Sequence, residues 1–80
     1  MRLDKFLKNA RIIKRRTIAK EACDQGRVMV NDKVAKAGNE IAVGDVITIT
    51  FGSKITKLEV LAVTEHVTKD TAREMYHIIQ

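Results

Sequence analysis

The segment that decides the fold is residues 2–17, which read Arg2-Leu3-Asp4-Lys5-Phe6-Leu7-Lys8-Asn9-Ala10-Arg11-Ile12-Ile13-Lys14-Arg15-Arg16-Thr17. Its apolar residues recur at spacings of three and four, which is typical of the buried stripe of a helix; they are Leu3, Phe6, Leu7, Ala10 and Ile13. The basic residues fall largely off that stripe. The segment therefore predicts a helix that is apolar on one side and cationic on the others, interrupted by the basic residues 14–17.

A second helix is predicted from Thr17 to about Asp24. Threonine is a residue type that caps helix N-termini, so we expect Thr17 to support the start of this helix. Its inner face is predicted to consist of Ile18, Ala19, Ala22 and Cys23. Gly26 is placed to end the helix in a left-handed conformation, which glycine adopts without steric cost.

Beyond residue 27 the pattern changes to short strands separated by turns. Residues 28–30, 34–35, 46–51 and 55–63 are rich in β-branched and aliphatic side chains, which is typical of strands. Asn31 and Asp32 tolerate positive φ and predict a tight turn between the first two strands.

The end of the chain returns to a helical pattern. Its apolar residues Ala72, Met75, Tyr76 and Ile79 have helical spacing and predict a short C-terminal helix. The predicted fold is α+β: two N-terminal helices packed on a small, mostly antiparallel β-sheet, with a short C-terminal helix, in one domain over residues 1–80.

Charge is distributed unevenly along the chain. Eight of the fifteen Lys and Arg residues and only one of the ten acids lie in residues 1–20, which carry about +7. The other sixty residues hold seven bases and nine acids. A small protein with its excess positive charge in one segment presents a cationic face to a polyanionic partner, and nucleic acid is the first candidate.

Hydropathy and cysteine content predict a cytoplasmic protein, and we expect a monomer. The apolar runs are only a few residues long, so no segment is expected to span a membrane. The first residues lack the apolar stretch of a secretory signal. The one cysteine, Cys23, has no second cysteine to form an internal disulfide with, which fits a reducing compartment.

The sequence predicts no catalytic activity, no metal ion and no cofactor. The two histidines, His66 and His77, are far in sequence from Cys23, and a cysteine on an apolar helix face is typical of a core residue. No pair of Cys or His residues has zinc-ligand spacing, and no glycine-rich loop resembles a nucleotide-binding motif.

The candidate binding site is the basic junction between the two predicted helices. Lys14, Arg15 and Arg16 lie near the exposed amides of the second helix, which is a favourable position for an anion. Arg27, just after Gly26, is expected to return to the same face. Arg16 is the strongest candidate, because a planar guanidinium binds a phosphate through two parallel hydrogen bonds or stacks on a base.

A basic face of this kind is also found on proteins where it is merely solvated, on proteins that bind membranes and on proteins that recognise DNA sequence. The segregation of charge favours a binding face over mere solvation. The apolar side of the first helix has modest bulk and is needed for the core, which disfavours a membrane surface. The second helix has few side chains suited to base edges, which disfavours sequence-specific DNA recognition.

Three motifs, in order, resemble the S-four (S4) RNA-binding domain, also called the αL motif. They are Arg2-Leu3-Asp4-Lys5-Phe6-Leu7, Arg11-Ile12-Ile13-Lys14-Arg15-Arg16-Thr17 and Gly26-Arg27-Val28-Met29-Val30-Asn31. The resemblance covers about residues 1–50, and residues 51–80 are expected to add a strand and the terminal helix. It implies that the two helices and the following loop bind structured RNA through its phosphates and shape.

Carried over to this sequence, the resemblance implicates eight cations in RNA binding: Arg2, Lys5, Arg11, Lys14, Arg15, Arg16, Lys20 and Arg27. It implies that Asp4 orients a neighbouring arginine and that Asn31 serves turn geometry. Asp32 occupies a position where the family commonly has glycine, which places an acid at the tip of the hairpin.

The compact chain most resembles family members that act in ribosome-associated quality control. That resemblance implies binding to the rRNA of a large ribosomal subunit that still holds peptidyl-tRNA, contact with that tRNA, and support for a partner factor that adds alanine tails to stalled chains. The sequence leaves two further functions open. One is a ribosome-assembly factor or general RNA chaperone, and the second is the RNA-binding subunit of an RNA-modifying enzyme.

Overall fold

The computed structural model describes residues 1–80 as three helices and five strands. The helices are α1 (Leu3–Asn9), α2 (Arg16–Asp24) and α3 (Lys69–Ala72), the last continuing into a 3-10 turn at Arg73–Met75. The strands are β1 (Val28–Val30), β2 (Lys33–Val34), β3 (Val46–Phe51), β4 (Lys54–Val60) and β5 (Tyr76–Ile78). This arrangement confirms the predicted α+β fold. None of the helices has the length and apolarity needed to cross a membrane.

Helix α1 ends earlier than its apolar stripe suggests. The helix stops at Asn9, and Arg11 adopts a left-handed backbone conformation with φ 58°. The amides of Ile12 and Ile13 both donate to the Leu7 carbonyl at 3.1 Å, so the chain folds back over the helix end. Ile13 is therefore buried with the rest of the predicted stripe, but from a loop.

Helix α2 begins before the predicted cap. Its N-cap is Arg15 and no side chain caps it; Thr17 lies exposed in the first turn, so the prediction that Thr17 caps the helix is wrong. Ile18 is also not an inner residue, since 44% of it is exposed, whereas Ala19, Ala22 and Cys23 are buried. Ile18 lies about 100° around the helix from Ala19, at the margin of the buried stripe.

Gly26 ends α2 as predicted. Its φ is 74°, and the amides of Gly26 and Arg27 donate to the carbonyls of Cys23 and Ala22, both at 3.0 Å. This pair of bonds is the Schellman motif, which satisfies the last helical carbonyls and reverses the chain direction. The chain enters β1 directly after it.

The five strands form one antiparallel sheet in the order β2-β1-β3-β4-β5. Asn31 and Asp32, with φ of 52° and 68°, make the predicted two-residue turn between β1 and β2. Alternate side chains of the three inner strands are buried and join the core built on α1 and α2; they are Val28, Val30, Ile47, Ile49, Leu58 and Val60.

The C-terminal region keeps the predicted short helix but not its predicted extent. Thr68 and Thr71 cap α3 reciprocally, each accepting a hydrogen bond from the other's amide. The helical spacing that continues to Ile79 is misleading, because Tyr76–Ile78 form a strand that pairs with β4. Strand β4 itself ends at Val60, earlier than the predicted residue 63. The open edge of β4 presents backbone groups that a strand satisfies and a helix does not.

The burial pattern predicts a larger loss of stability for a substitution in the core than for one at the margin of α2. We expect Leu7→Ala to lower the free energy of unfolding by about 2 to 5 kcal/mol, because Leu7 is fully buried and leaves a cavity. Ile18→Ala removes the same class of side chain from the exposed edge of α2 and is expected to cost about 1 kcal/mol or less. Urea unfolding followed by circular dichroism measures both, and equal losses would contradict the burial described here.

Candidate RNA interface

A buried carboxylate organises the two arginines at the start of the helices. The Asp4 side chain is 4% exposed and accepts a hydrogen bond from the Lys5 amide at 2.8 Å. Arg2 donates to it from Nε at 3.2 Å and from Nη2 at 3.4 Å, and Arg16 donates from Nε at 3.2 Å. Asp4 thus accepts hydrogen bonds from two arginines, one at the start of each helix. We call these three side chains the arginine cluster.

The arginine cluster keeps Asp4 ionised. Burial raises the pKa of Asp4, but the hydrogen bond and charge of Arg16, the Lys5 amide and the charge of Arg2 together outweigh it, so the pKa lies below its ordinary value. Arg16 uses only its Nε within the chain, and about half of each arginine side chain is exposed (49% for Arg2, 46% for Arg16). The cluster therefore carries a net positive charge and has free guanidinium N–H groups for an outside acceptor.

The loop of residues 37–41 fixes the position of Arg2. The amide of Leu3 donates to the Asn39 carbonyl at 2.8 Å, and Arg2 forms an antiparallel bridge with Glu40. The Arg2 guanidinium lies against Gly38, where a Cβ would be 3.7 Å from Nη2. Gly38 thus forms part of the surface on which the Arg2 side chain rests.

The helix junction adds further exposed cations next to the arginine cluster. Lys14 and Arg15 are exposed and form no ion pair within the chain. Lys20 is exposed one turn after Arg16 on the same face of α2, since residues four apart are neighbours on a helix. No side chain caps the first turn of α2, so its amides are available beside these charges.

Two of the predicted RNA-binding cations have other neighbours within the chain. Lys5 forms an ion pair with Glu65 and holds the loop before α3 against α1. Arg27 follows the far end of α2, about 14 Å from its start by helical rise. It lines a shallow depression with Ile18, Glu21 and Phe51. The expectation that Arg27 returns to the face of Arg16 stays a prediction.

Comparison with known proteins agrees with this architecture. The model of the S4 domain matches residues 1–47. The chain belongs to the S4 domain family. It is 53% identical over 78 residues to a protein of Halalkalibacterium halodurans, covering 98% of this chain and 89% of that protein. It is 46% identical over 80 residues to one of Bacillus subtilis, covering 100% and 93%. Both relatives are named RQC P-site tRNA stabilizing factor.

A solved structure shows the same fold over nearly the whole chain. The trimeric structure of Vibrio cholerae heat shock protein 15 superposes with a TM-score of 0.89 at 26% identity, covering 98% of this chain and 80% of that one. The S4 match includes α1, α2, β1 and β2 and ends at the start of β3. The arginine cluster and the helix junction thus lie inside the S4 domain, and α3 and β5 lie outside it.

The Asn31 side chain forms two hydrogen bonds within the chain. Its Nδ2 donates to Asp45 Oδ1 at 3.1 Å, and its Oδ1 accepts from the Val46 amide at 3.0 Å. These bonds join the β1–β2 turn to the start of β3. At the hairpin tip, Asp32 lies 4.0 Å from the Lys57 amino group, which partly offsets its negative charge.

The groups that bear on catalysis are arranged as expected for a core cysteine and surface histidines. Cys23 is buried, and that burial together with the charges of Asp4 and Asp24 raises the pKa of its thiol to about 11. The thiol is therefore protonated at neutral pH and is a poor nucleophile. His66 and His77 are exposed.

Sequence reasoning missed three cations that the fold brings to the helix junction. Lys8, Lys69 and Arg73 line two depressions together with Arg11 and Lys14. Lys69 and Arg73 are some sixty residues from Arg11 and alternate with acids in the sequence, so no local charge run marks them. Lys8 was visible in the basic segment but did not belong to a motif.

The lowered pKa of Asp4 predicts a pH-dependent contribution to stability. The contribution is present above the unfolded-state pKa of about 4 and is lost as pH falls through the lower folded-state value. We expect Asp4→Asn to lower the free energy of unfolding by about 1 to 3 kcal/mol at pH 7, with the deficit shrinking below about pH 4. Urea titrations at pH 7 and pH 3 measure it, and a deficit that stays constant between them would contradict an ionised Asp4.

Proposed function

We propose that this chain is a non-catalytic RNA-binding protein that stabilises P-site tRNA on the large ribosomal subunit during ribosome-associated quality control (RQC). The observation that carries the proposal is the arginine cluster, in which a buried Asp4 holds Arg2 and Arg16 in fixed orientations on an S4 domain. The names of two relatives that match almost the whole chain support the same function.

The arginine cluster suits recognition of an RNA backbone. The free Nη groups of Arg16 form a planar donor edge, which binds a phosphate through two parallel hydrogen bonds. Lys20 and Arg15 extend the positive charge along the start of α2. Double-stranded RNA presents its phosphates and 2′-hydroxyls across a wide, shallow groove, which a rigid cationic face reads by shape rather than by base sequence.

The mechanism that follows is positional. A rigid protein that contacts both rRNA and tRNA binds best when the tRNA occupies one site, and a ligand that prefers one state shifts the population toward it. No bond is made or broken by the protein. In this proposal the stabilised peptidyl-tRNA supports the partner factor that adds alanine tails to stalled chains, in the cytoplasm, and the protein acts as a monomer.

The assembly-factor, chaperone and modifying-enzyme functions use the same RNA-binding face. The relatives' shared name favours a role at P-site tRNA over these functions. All of them require the arginine cluster, so variants of that cluster test the face but do not separate the functions. The particle that the protein binds in cells does separate them.

Binding to ribosomal particles is expected to depend on the arginine cluster. Arg16→Ala and Arg2→Ala each remove a charge-assisted contact and should weaken binding to large subunits that carry peptidyl-tRNA by about tenfold or more. The cost in folding stability should be about 1 kcal/mol, because Asp4 keeps the second arginine and the Lys5 amide. Lys54→Ala, an exposed unpaired cation at the β3–β4 turn, is the matched control. Sedimentation at fixed salt measures binding, and losses equal to the control would refute the site.

Purification of the tagged protein from cells is expected to recover large ribosomal subunits that hold peptidyl-tRNA. Arg16→Ala purified in parallel is the control for particles that adhere nonspecifically. Recovery of immature subunits would point to an assembly factor, and recovery with an RNA-modifying enzyme would point to a subunit of that enzyme. Either result would replace the proposed function while leaving the RNA-binding face in place.

A further inference from the structure

A groove separates the helix junction from the C-terminal segment. Arg11 and Lys14 line one wall, and Lys69 and Arg73 line the opposite wall. The groove has a volume of about 430 Å³, and Ala10, Ala72 and Tyr76 complete its lining. We call it the C-terminal groove. Its second wall lies outside residues 1–47, the part that matches the S4 domain.

The four cations of the C-terminal groove have no partners within the chain. All four are exposed, and the ion pairs of the protein involve different residues. Asp70 and Glu74 belong to the same C-terminal segment but do not line the groove. Four like charges around one depression repel each other, and a polyanion placed among them removes that repulsion.

Both walls of the groove are fixed to α1. Asn9, which is 5% exposed, donates from Nδ2 to the carbonyls of Thr64 and Glu65 at 3.2 and 3.4 Å, and Lys5 pairs with the Glu65 carboxylate. These contacts hold the loop that leads into α3, and the C-terminal segment itself is held by the buried side chains of Ala72 and Met75. On the opposite wall, Arg11 has the left-handed backbone described above. The charges are therefore presented by anchored segments.

We infer that the C-terminal groove is a second RNA-binding surface that takes sugar–phosphate backbone. This inference rests on the proposed function and deepens it, because it gives the protein two cationic surfaces, one at each end of α1. Lys and Arg neutralise successive phosphates, and the aromatic ring of Tyr76 offers a surface for a sugar or base. The groove lacks the exposed large aliphatic side chains that a membrane surface needs. Lys14 belongs both to the helix junction and to the lining of the groove, so the two cationic surfaces adjoin each other.

The test compares two variants of equal charge in the full chain. Lys69→Gln with Arg73→Gln removes the C-terminal wall's charges and keeps most of the side-chain length. Lys36→Gln with Lys54→Gln removes two exposed, unpaired cations elsewhere. Binding is measured to large subunits carrying peptidyl-tRNA and to a short RNA hairpin, over a range of salt. Thermal unfolding verifies that each variant is folded.

We expect the groove variant to bind about 10- to 30-fold more weakly than the control near physiological salt, with the slope of log affinity against log salt reduced by about 1.4 to 1.8 for two lost phosphate contacts. Equal affinities and slopes for the two variants would overturn the inference. If Arg16→Ala still abolished binding to large subunits, the proposed function would survive that result. If the wild-type protein bound the hairpin but not the subunits, the proposed function would fail, and the hairpin measurements would still decide the groove.

A photo-crosslink identifies the molecule in the groove. Tyr76→p-azidophenylalanine places a reactive group of similar shape in the lining. Crosslinks to RNA support the inference, and sequencing of the crosslinked RNA distinguishes rRNA from tRNA as its source. Crosslinks to protein alone would show that the groove takes an acidic protein segment and would overturn the inference.

Discussion

The proposed binding face depends on one buried negative charge, that of Asp4. Asp4 loses hydration where α1 begins, and only the two arginines and the Lys5 amide compensate for that loss. The same bonds tie the start of α1 to the start of α2, and they limit how far either guanidinium swings. The protein thus gives up part of its positive charge to Asp4 and gains arginines with fixed orientations, which lowers the entropy lost when an RNA phosphate binds.

Helix α1, which has only seven residues, connects the arginine cluster to the loop that precedes α3. Its first turn holds Asp4, and its last residue, Asn9, holds the loop that leads to α3. Between them, Leu3, Phe6 and Leu7 are fully buried in the hydrophobic core. A helix this short is unstable in isolation, and it is stable here because its apolar side chains pack in the core. Changes in that packing are therefore transmitted to both ends of the binding face.

Local patterns in the sequence were sufficient for most of the fold. The spacing of Leu3, Phe6 and Leu7, the position of Gly26 and the Asn31–Asp32 turn each depend on neighbouring residues, and each was predicted correctly. The prediction that Tyr76 lies in a helix was wrong. The residues around Tyr76 are compatible with either a helix or a strand, and pairing with β4 favours the strand. Lys69 and Arg73 join Arg11 only through tertiary contacts of the loop before α3, which no sequence window contains.

The separation of charge within the fold also bears on how fast the protein finds its partner. The basic residues 1–20 contain α1, the helix junction and the start of α2, while residues 21–80 carry nine acids and seven bases. A molecule with an uneven distribution of charge experiences a torque in the field of a polyanion before contact. Encounters then begin with the helical end facing the RNA, which raises the association rate above that of a randomly oriented collision. Because mobile ions screen this long-range torque within about 8 Å at physiological ionic strength, the orienting effect acts only over the final approach.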